Sequence, residues 1–98
     1  MFLKVHQSYR DVIAICDSDL IGKRFEEGRF QLEIKENFFA GEKISEEEAI
    51  STIKSLSRED ATFNIVGEKS INAALKAKII SEEEVGEIRG IPFAIILG

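Results

Sequence analysis

The sequence predicts an α+β fold: a single domain over residues 1–98, with a mixed, mostly antiparallel sheet of four to six short strands and two main helices. Three observations carry this. Short runs rich in β-branched and aromatic residues recur from the first residues to the last. Between them lie two segments with apolar residues at helical spacing, the first of them opened by a serine with a glutamate three residues on. The length of 98 residues fits one domain and no more.

Phe2–His6 reads as a first strand, and residues 7–10 as a polar turn. Val12–Cys16 is apolar at every position, the pattern of a central strand covered on both faces. The two together suggest an antiparallel hairpin. Asp17-Ser18-Asp19 offers an N-cap for one short helical turn ended by Gly22. Glu26-Glu27-Gly28 reads as a turn, and Phe30, Leu32 and Ile34 alternate with polar residues as in a half-buried strand. Residues 37–41 read as a loop that carries two aromatics, at least one of them against the core.

Ser45 and Glu48 form a capping box, so a helix is expected over Glu46–Ser57, with Ala49, Ile50, Ile53 and Leu56 on its inner face. Its three opening glutamates suit the positive end of the helix dipole. Thr62–Val66 is a strand that stops at Gly67, where a second helix begins, expected over 68–79 with Ile71, Ala74 and Leu75 on one stripe. Ser81 with Glu84 repeats the capping box over a single turn. A short strand over 85–89 and a terminal apolar strand over 91–97 follow, parted by Gly90. Left open to water, the terminal strand is an aggregation hazard, so its burial is expected, either within the sheet or across a subunit interface, with burial in the monomer favoured.

Composition removes several classes of function. The net charge is −5; residues 1–43 are nearly balanced, and the acid excess lies in 44–98 at Glu46-Glu47-Glu48 and Glu82-Glu83-Glu84. That balance argues mildly against a nucleic-acid binder, without removing a local basic face in the first half. The lone Cys16 has no partner for an internal disulfide, which fits a reducing compartment. The opening residues lack the pattern of a secretion signal, and the longest apolar run is too short to span a bilayer. A cytoplasmic protein without a membrane partner is expected.

The candidate chemistry is sparse. Gly22-Lys23 is not a phosphate-binding loop, because Asp17 stands where the first glycine belongs and Arg24 where Ser or Thr should hold magnesium. What remains is a basic group, Lys23, Arg24 and Arg29, interleaved with Phe25 and Phe30, a combination that grips single-stranded nucleic acid through phosphate contacts and stacking. The bland alternative makes the rings core and the cations a solvated rim. Gly67 before a helix could expose amides to an anion, but Glu68 already complements that dipole, so a structural turn is expected. His6 stands alone, so soft ligands assemble no metal set. Cys16 beside Asp17 should have a raised pKa and little nucleophilicity. No catalytic residue, cofactor or metal is assigned.

The segments Ala14-Ile15-Cys16-Asp17, Leu20-Ile21-Gly22-Lys23-Arg24-Phe25-Glu26-Glu27-Gly28, Phe38-Phe39-Ala40-Gly41-Glu42, Asn64-Ile65-Val66-Gly67-Glu68 and Gly90-Ile91-Pro92-Phe93-Ala94 follow in an order that resembles the short archaeal proteins grouped as domain of unknown function 424. The resemblance runs nearly end to end and implies an archaeal, cytoplasmic, single-domain protein. It carries no established activity.

The expectation is therefore a non-enzymatic binding module in information processing, with RNA or a ribonucleoprotein as partner and Lys23, Arg24, Phe25 and Arg29 as the contact residues. The competing expectation is a protein–protein adaptor that uses the acidic second half or an exposed apolar edge, as a monomer or as a homodimer through a sheet edge. A small enzyme using Cys16 or a bound metal is the third.

Overall fold

A computed structural model describes residues 1–97. Eight strands are present: β1 (Phe2–His6), β2 (Val12–Cys16), β3 (Arg24–Glu27), β4 (Phe30–Glu33), β5 (Glu42–Lys43), β6 (Thr62–Val66), β7 (Gly86–Ile88) and β8 (Ile91–Ile96). Three α-helices join them, α1 (Glu36–Phe39), α2 (Glu46–Ser57) and α3 (Glu68–Lys76). Six strands form one mixed sheet in the order β5-β1-β2-β6-β8-β7, and β3 and β4 form a separate two-stranded sheet. Among the described residues only the β2–β6 pair is parallel, so the sheet is mostly antiparallel as expected.

The alternation of side chains on the central strands divides the core in two. On one face Leu3, Ile13, Ile15, Phe63, Ile65 and Ala94 pack under α2 and α3 through Ala49, Ile53, Ile71 and Ala74. On the other face Ala14, Cys16 and Val66 meet Leu20, Ile34 and Phe39, with Phe2, Phe25, Leu32 and Phe93 around them. The second layer is thus built by the β3–β4 hairpin and the short helix α1. Apolar residues on both faces of β2 are what the sequence pattern demands of a strand between two such layers.

The Ser45 box closes as read: Glu48 N–H donates to Ser45 Oγ at 3.2 Å, and Ser45 N–H to Glu48 Oε1 at 3.2 Å. Five local expectations need correction. The turn placed at 26–28 lies one residue later, at Gly28-Arg29, so Glu26 and Glu27 belong to β3. Gly28 has φ 61°, the positive value that the first central position of a type II′ turn requires. Residues 36–39 form a helical turn rather than a loop, because Ala40 N–H closes back on the Glu36 carbonyl at 2.7 Å. The second helix ends at Lys76, short of Ile79, where Lys78 takes φ 61°. Burial of the terminal strand holds only in part: Ala94 is buried, but Ile95 and Leu97 are 60% and 80% exposed.

The fifth correction concerns Asp17. Its side chain does not cap the 3₁₀ turn at Ser18–Leu20 that follows it. It reaches instead across the sheet to the amino terminus of α3. Its carboxylate accepts from Lys69 N–H at 3.1 Å, Ser70 N–H at 2.8 Å and Ser70 Oγ–H at 2.7 Å. Both Asp17 and Ser70 are buried. The parallel pairing of β2 and β6 brings the ends of those strands side by side, and that makes the long-range cap possible.

Candidate functional site: an apolar groove beside the second hairpin

The hairpin β3–β4 leans over one end of the second sheet face and is fastened there by Arg89. The Arg89 backbone N–H donates to Glu27 Oε1 at 2.9 Å, and its Nε to the Glu26 carbonyl at 2.9 Å. The hairpin does not cover the whole face. Between β4 and the exposed surface of β6 and β8 a groove of about 410 Å³ remains, in the range of sites that hold organic ligands or peptide segments.

Four consecutive residues of β4, Phe30 to Glu33, line the groove, and no residue of β3 does. Phe38, Phe93 and Ile95 add apolar surface. Phe30 is 70% exposed although it stands at the mouth of an apolar cleft. Asn64 lies on the floor, half-buried, opposite Ala14 and Ile95 in the sheet. Among the described residues its side-chain amide has no hydrogen-bond partner. Glu33 is the sole ionisable side chain among the described lining residues. A cleft of open rings with one free amide and one carboxylate is built to bury an apolar group and orient it.

The sequence-derived residues occupy different places on the same hairpin. Lys23 stands at its foot, where its backbone bonds to Leu20 and Ile34. Arg29 sits in the turn at the tip, roughly 15 Å away at the rise of an extended strand. Arg24 opens β3 and is held by Glu26 at 2.6 Å. Phe25 is half-buried and packs into the second core cluster. The structure therefore strings the three cations along the hairpin, with Glu26 and Glu27 between them, and does not gather them into one patch. A larger open depression of about 780 Å³ lies at the foot of the hairpin beside α1 and is lined by Arg24 and Lys35 together with Glu33 and Glu36.

The remaining candidates are structural by geometry. His6 Nε2 lies 2.8 Å from the Phe38 carbonyl, and its ring stacks on Phe38 at 4.6 Å between centroids. The anion at the Gly67 turn is the chain's own Asp17. No group of three His, Cys, Asp or Glu that could hold a metal ion occurs among the described residues. Cys16 is completely buried. Burial pushes its thiol up from 9.0 to about 12, and the neighbouring Asp17 charge acts in the same direction.

Two results are expected of that thiol. Native labelling should run about a hundredfold or more slower than labelling of the denatured chain, since access requires opening. Comparable rates would contradict its burial. The folded chain keeps the thiol protonated beyond the point, near 9.0, at which the unfolded chain loses it. Stability from this group is thus complete below about pH 9 and falls as the pH rises toward 12. Cys16→Ala should flatten part of the alkaline loss measured by chemical denaturation, and an unchanged slope would contradict the assignment.

The groove escaped the sequence because two separate folding events create it: β4 must pair with β3, and the hairpin must dock on β7. One signal was available. Phe30 opens an alternating strand directly after a turn, at a position with little around it to bury it.

The chain belongs to the family described as Protein of unknown function (DUF424), whose model matches residues 6–98. Its fold is similar to the crystal structure of an uncharacterized conserved protein from Methanopyrus kandleri, with a TM-score of 0.86 and 28% sequence identity over 98% of this chain and 90% of that one. No curated protein matches it. Among the described residues no helix is long and apolar enough to cross a membrane.

Proposed function

We propose that this chain is a non-enzymatic binding module whose docking surface is the groove beside β4, and that the occupant is a segment of a partner protein. The observation that carries the reading is the exposure of Phe30 and Ile95 on the two banks of one apolar cleft. Apolar side chains scattered singly over a surface are ordinary, but two facing each other across a concave surface mark an interaction site. The absence of a cation among the described lining residues speaks for a protein segment over a phosphate backbone.

A second reading, RNA or a ribonucleoprotein as partner, has one supporting observation. Arg29 adjoins the open ring of Phe30 at the hairpin tip, which sets a cation beside a stacking surface. One experiment separates the two. The tagged chain is used to capture partners from the lysate of its host, with and without ribonuclease, alongside the variants Phe30→Ser/Ile95→Lys and Lys23→Ala/Arg24→Ala/Arg29→Ala. Both variants should fold, because their sites are exposed or only rim the core, where substitutions shift stability by about 0.5 kcal/mol each. The groove variant should lose a ribonuclease-resistant protein partner that the cation variant retains. Loss of partner on ribonuclease treatment, and in the cation variant alone, would replace the protein reading with the RNA one.

A further inference from the structure

We infer that the groove takes its occupant as an added β-strand along the free edge of β4, and that this occupant is an extended segment of a partner protein alternating apolar residues with Lys or Arg. The inference rests on the groove being the docking surface and adds how the segment is held and what chemistry it carries.

The backbone of the hairpin decides which groups are free. In an antiparallel pair, alternate residues turn both their N–H and their C=O toward the same neighbour. Ile34, one residue past β4, donates to the Lys23 carbonyl at 2.9 Å and accepts from Gly22 N–H at 2.8 Å, so it faces the β3 side. Leu32 and Phe30 share that phase. Gln31 and Glu33 therefore turn their N–H and C=O groups away from β3. Among the described residues β4 pairs with β3 alone. The side away from β3 is the groove, as its lining by β4 and not by β3 requires. An unpaired row of donors and acceptors is the template on which strand addition proceeds, backbone bonds giving affinity and alternate side chains giving specificity.

The chemistry of the segment follows from the walls. Every second side chain of an added strand faces the sheet, where Phe93, Ile95 and Phe38 offer apolar contact and the Asn64 amide one polar partner. The only charge among the described lining residues is the Glu33 carboxylate. The nearest cation to it, Lys35, is a loose partner at 3.7 Å and largely exposed, so an arriving Lys or Arg finds an unsaturated carboxylate. An acidic segment meets repulsion there.

The test uses the full chain and a library of random linear heptapeptides displayed on phage. The enriched peptide is synthesised and titrated against the isotope-labelled protein, and amide hydrogen exchange is followed residue by residue. Enrichment should give alternating apolar and basic residues. The Gln31 and Glu33 amides should exchange at least about tenfold more slowly at saturation. Gln31→Pro should weaken binding by about tenfold or more, since its N–H points away from β3 and the proline leaves the hairpin ladder intact. Circular dichroism of that variant confirms the fold, and the exchange data on the unsubstituted chain stand without it.

Binding that Phe30→Ser/Ile95→Lys abolishes, but that leaves the two amides unprotected, would overturn strand addition and leave the docking groove standing. Binding indifferent to those substitutions, or no enriched peptide, would overturn both. Protection of the two amides that grows with protein concentration in the absence of peptide would overturn the partner assignment, because the strand added is then a second copy of the chain.

Discussion

Asp17→Ala is expected to destabilise the fold by about 3 kcal/mol, because it removes a buried, charged acceptor of three hydrogen bonds; bonds to charged groups contribute about 1.5–3 kcal/mol each and orphaned buried donors about 1–3. Water reaching the α3 terminus in the variant offsets part of that sum. A loss of about 3 kcal/mol is a large share of the 5–15 kcal/mol that holds a domain together, and should lower Tm by about 15 °C for a chain of this size. The effect exceeds that of an ordinary N-cap because the carboxylate also fixes the junction between layers. Asp17 N–H donates to Val66 O at 3.1 Å, and Gly67 N–H to Pro92 O at 2.8 Å, so β2, β6, β8 and α3 meet at this point. Asp17→Asn should lose less, since one oxygen remains, while its amide nitrogen meets a donor. Thermal unfolding of the two variants checks the order, and equal stability of Asp17→Ala and the parent chain would contradict the account of the cap.

Gly67→Ala should be at least as damaging, by about 4 kcal/mol, from two separable causes. Gly67 has φ 109° and ψ 155°, a region that side chains avoid at about 1–3 kcal/mol. A methyl group added there would also collide with Asp17 Cγ and stand 2.6 Å from Asp17 Oδ1, forcing the capping carboxylate off α3. The second cause disappears when the carboxylate is absent. Gly67→Ala should therefore cost about 2 kcal/mol less in an Asp17→Ala background, a coupling of the size that residues in direct contact show. Strict additivity in the double-mutant cycle would mean that the two residues do not act as one unit.

The same junction shows where sequence reasoning succeeds and where it stops. The capping box of Ser45 and Glu48 is a contact across three residues, so the spacing alone suffices to place the start of α2. The apolar run of β2 shows its burial on both faces for a similar reason, since the pattern is local. Asp17 has a local role on offer, at the 3₁₀ turn that follows it, and takes a partner 53 residues away instead. Nothing in the spacing of residues 17 and 70 announces that, because the parallel pairing of β2 with β6 creates it. Strand β3 is faint for another reason. It carries one apolar residue, Phe25, among charged neighbours, and gains its order from β4 and from the Arg89 clamp. The groove depends on that strand, so it was no more legible than β3 itself. The basic residues Lys23, Arg24 and Arg29 are close in sequence, yet an extended strand carries them apart, where a helix would have gathered them.

The groove as a docking surface is tested most directly by placing a photo-crosslinking phenylalanine analogue at position 30 and irradiating the chain in its host's lysate. Lys54, on α2 over the opposite sheet face, serves as the control position. The account expects one discrete adduct from position 30 that is protein, survives ribonuclease and is absent from position 54. Adducts that are RNA, or that form equally at both positions, would contradict it.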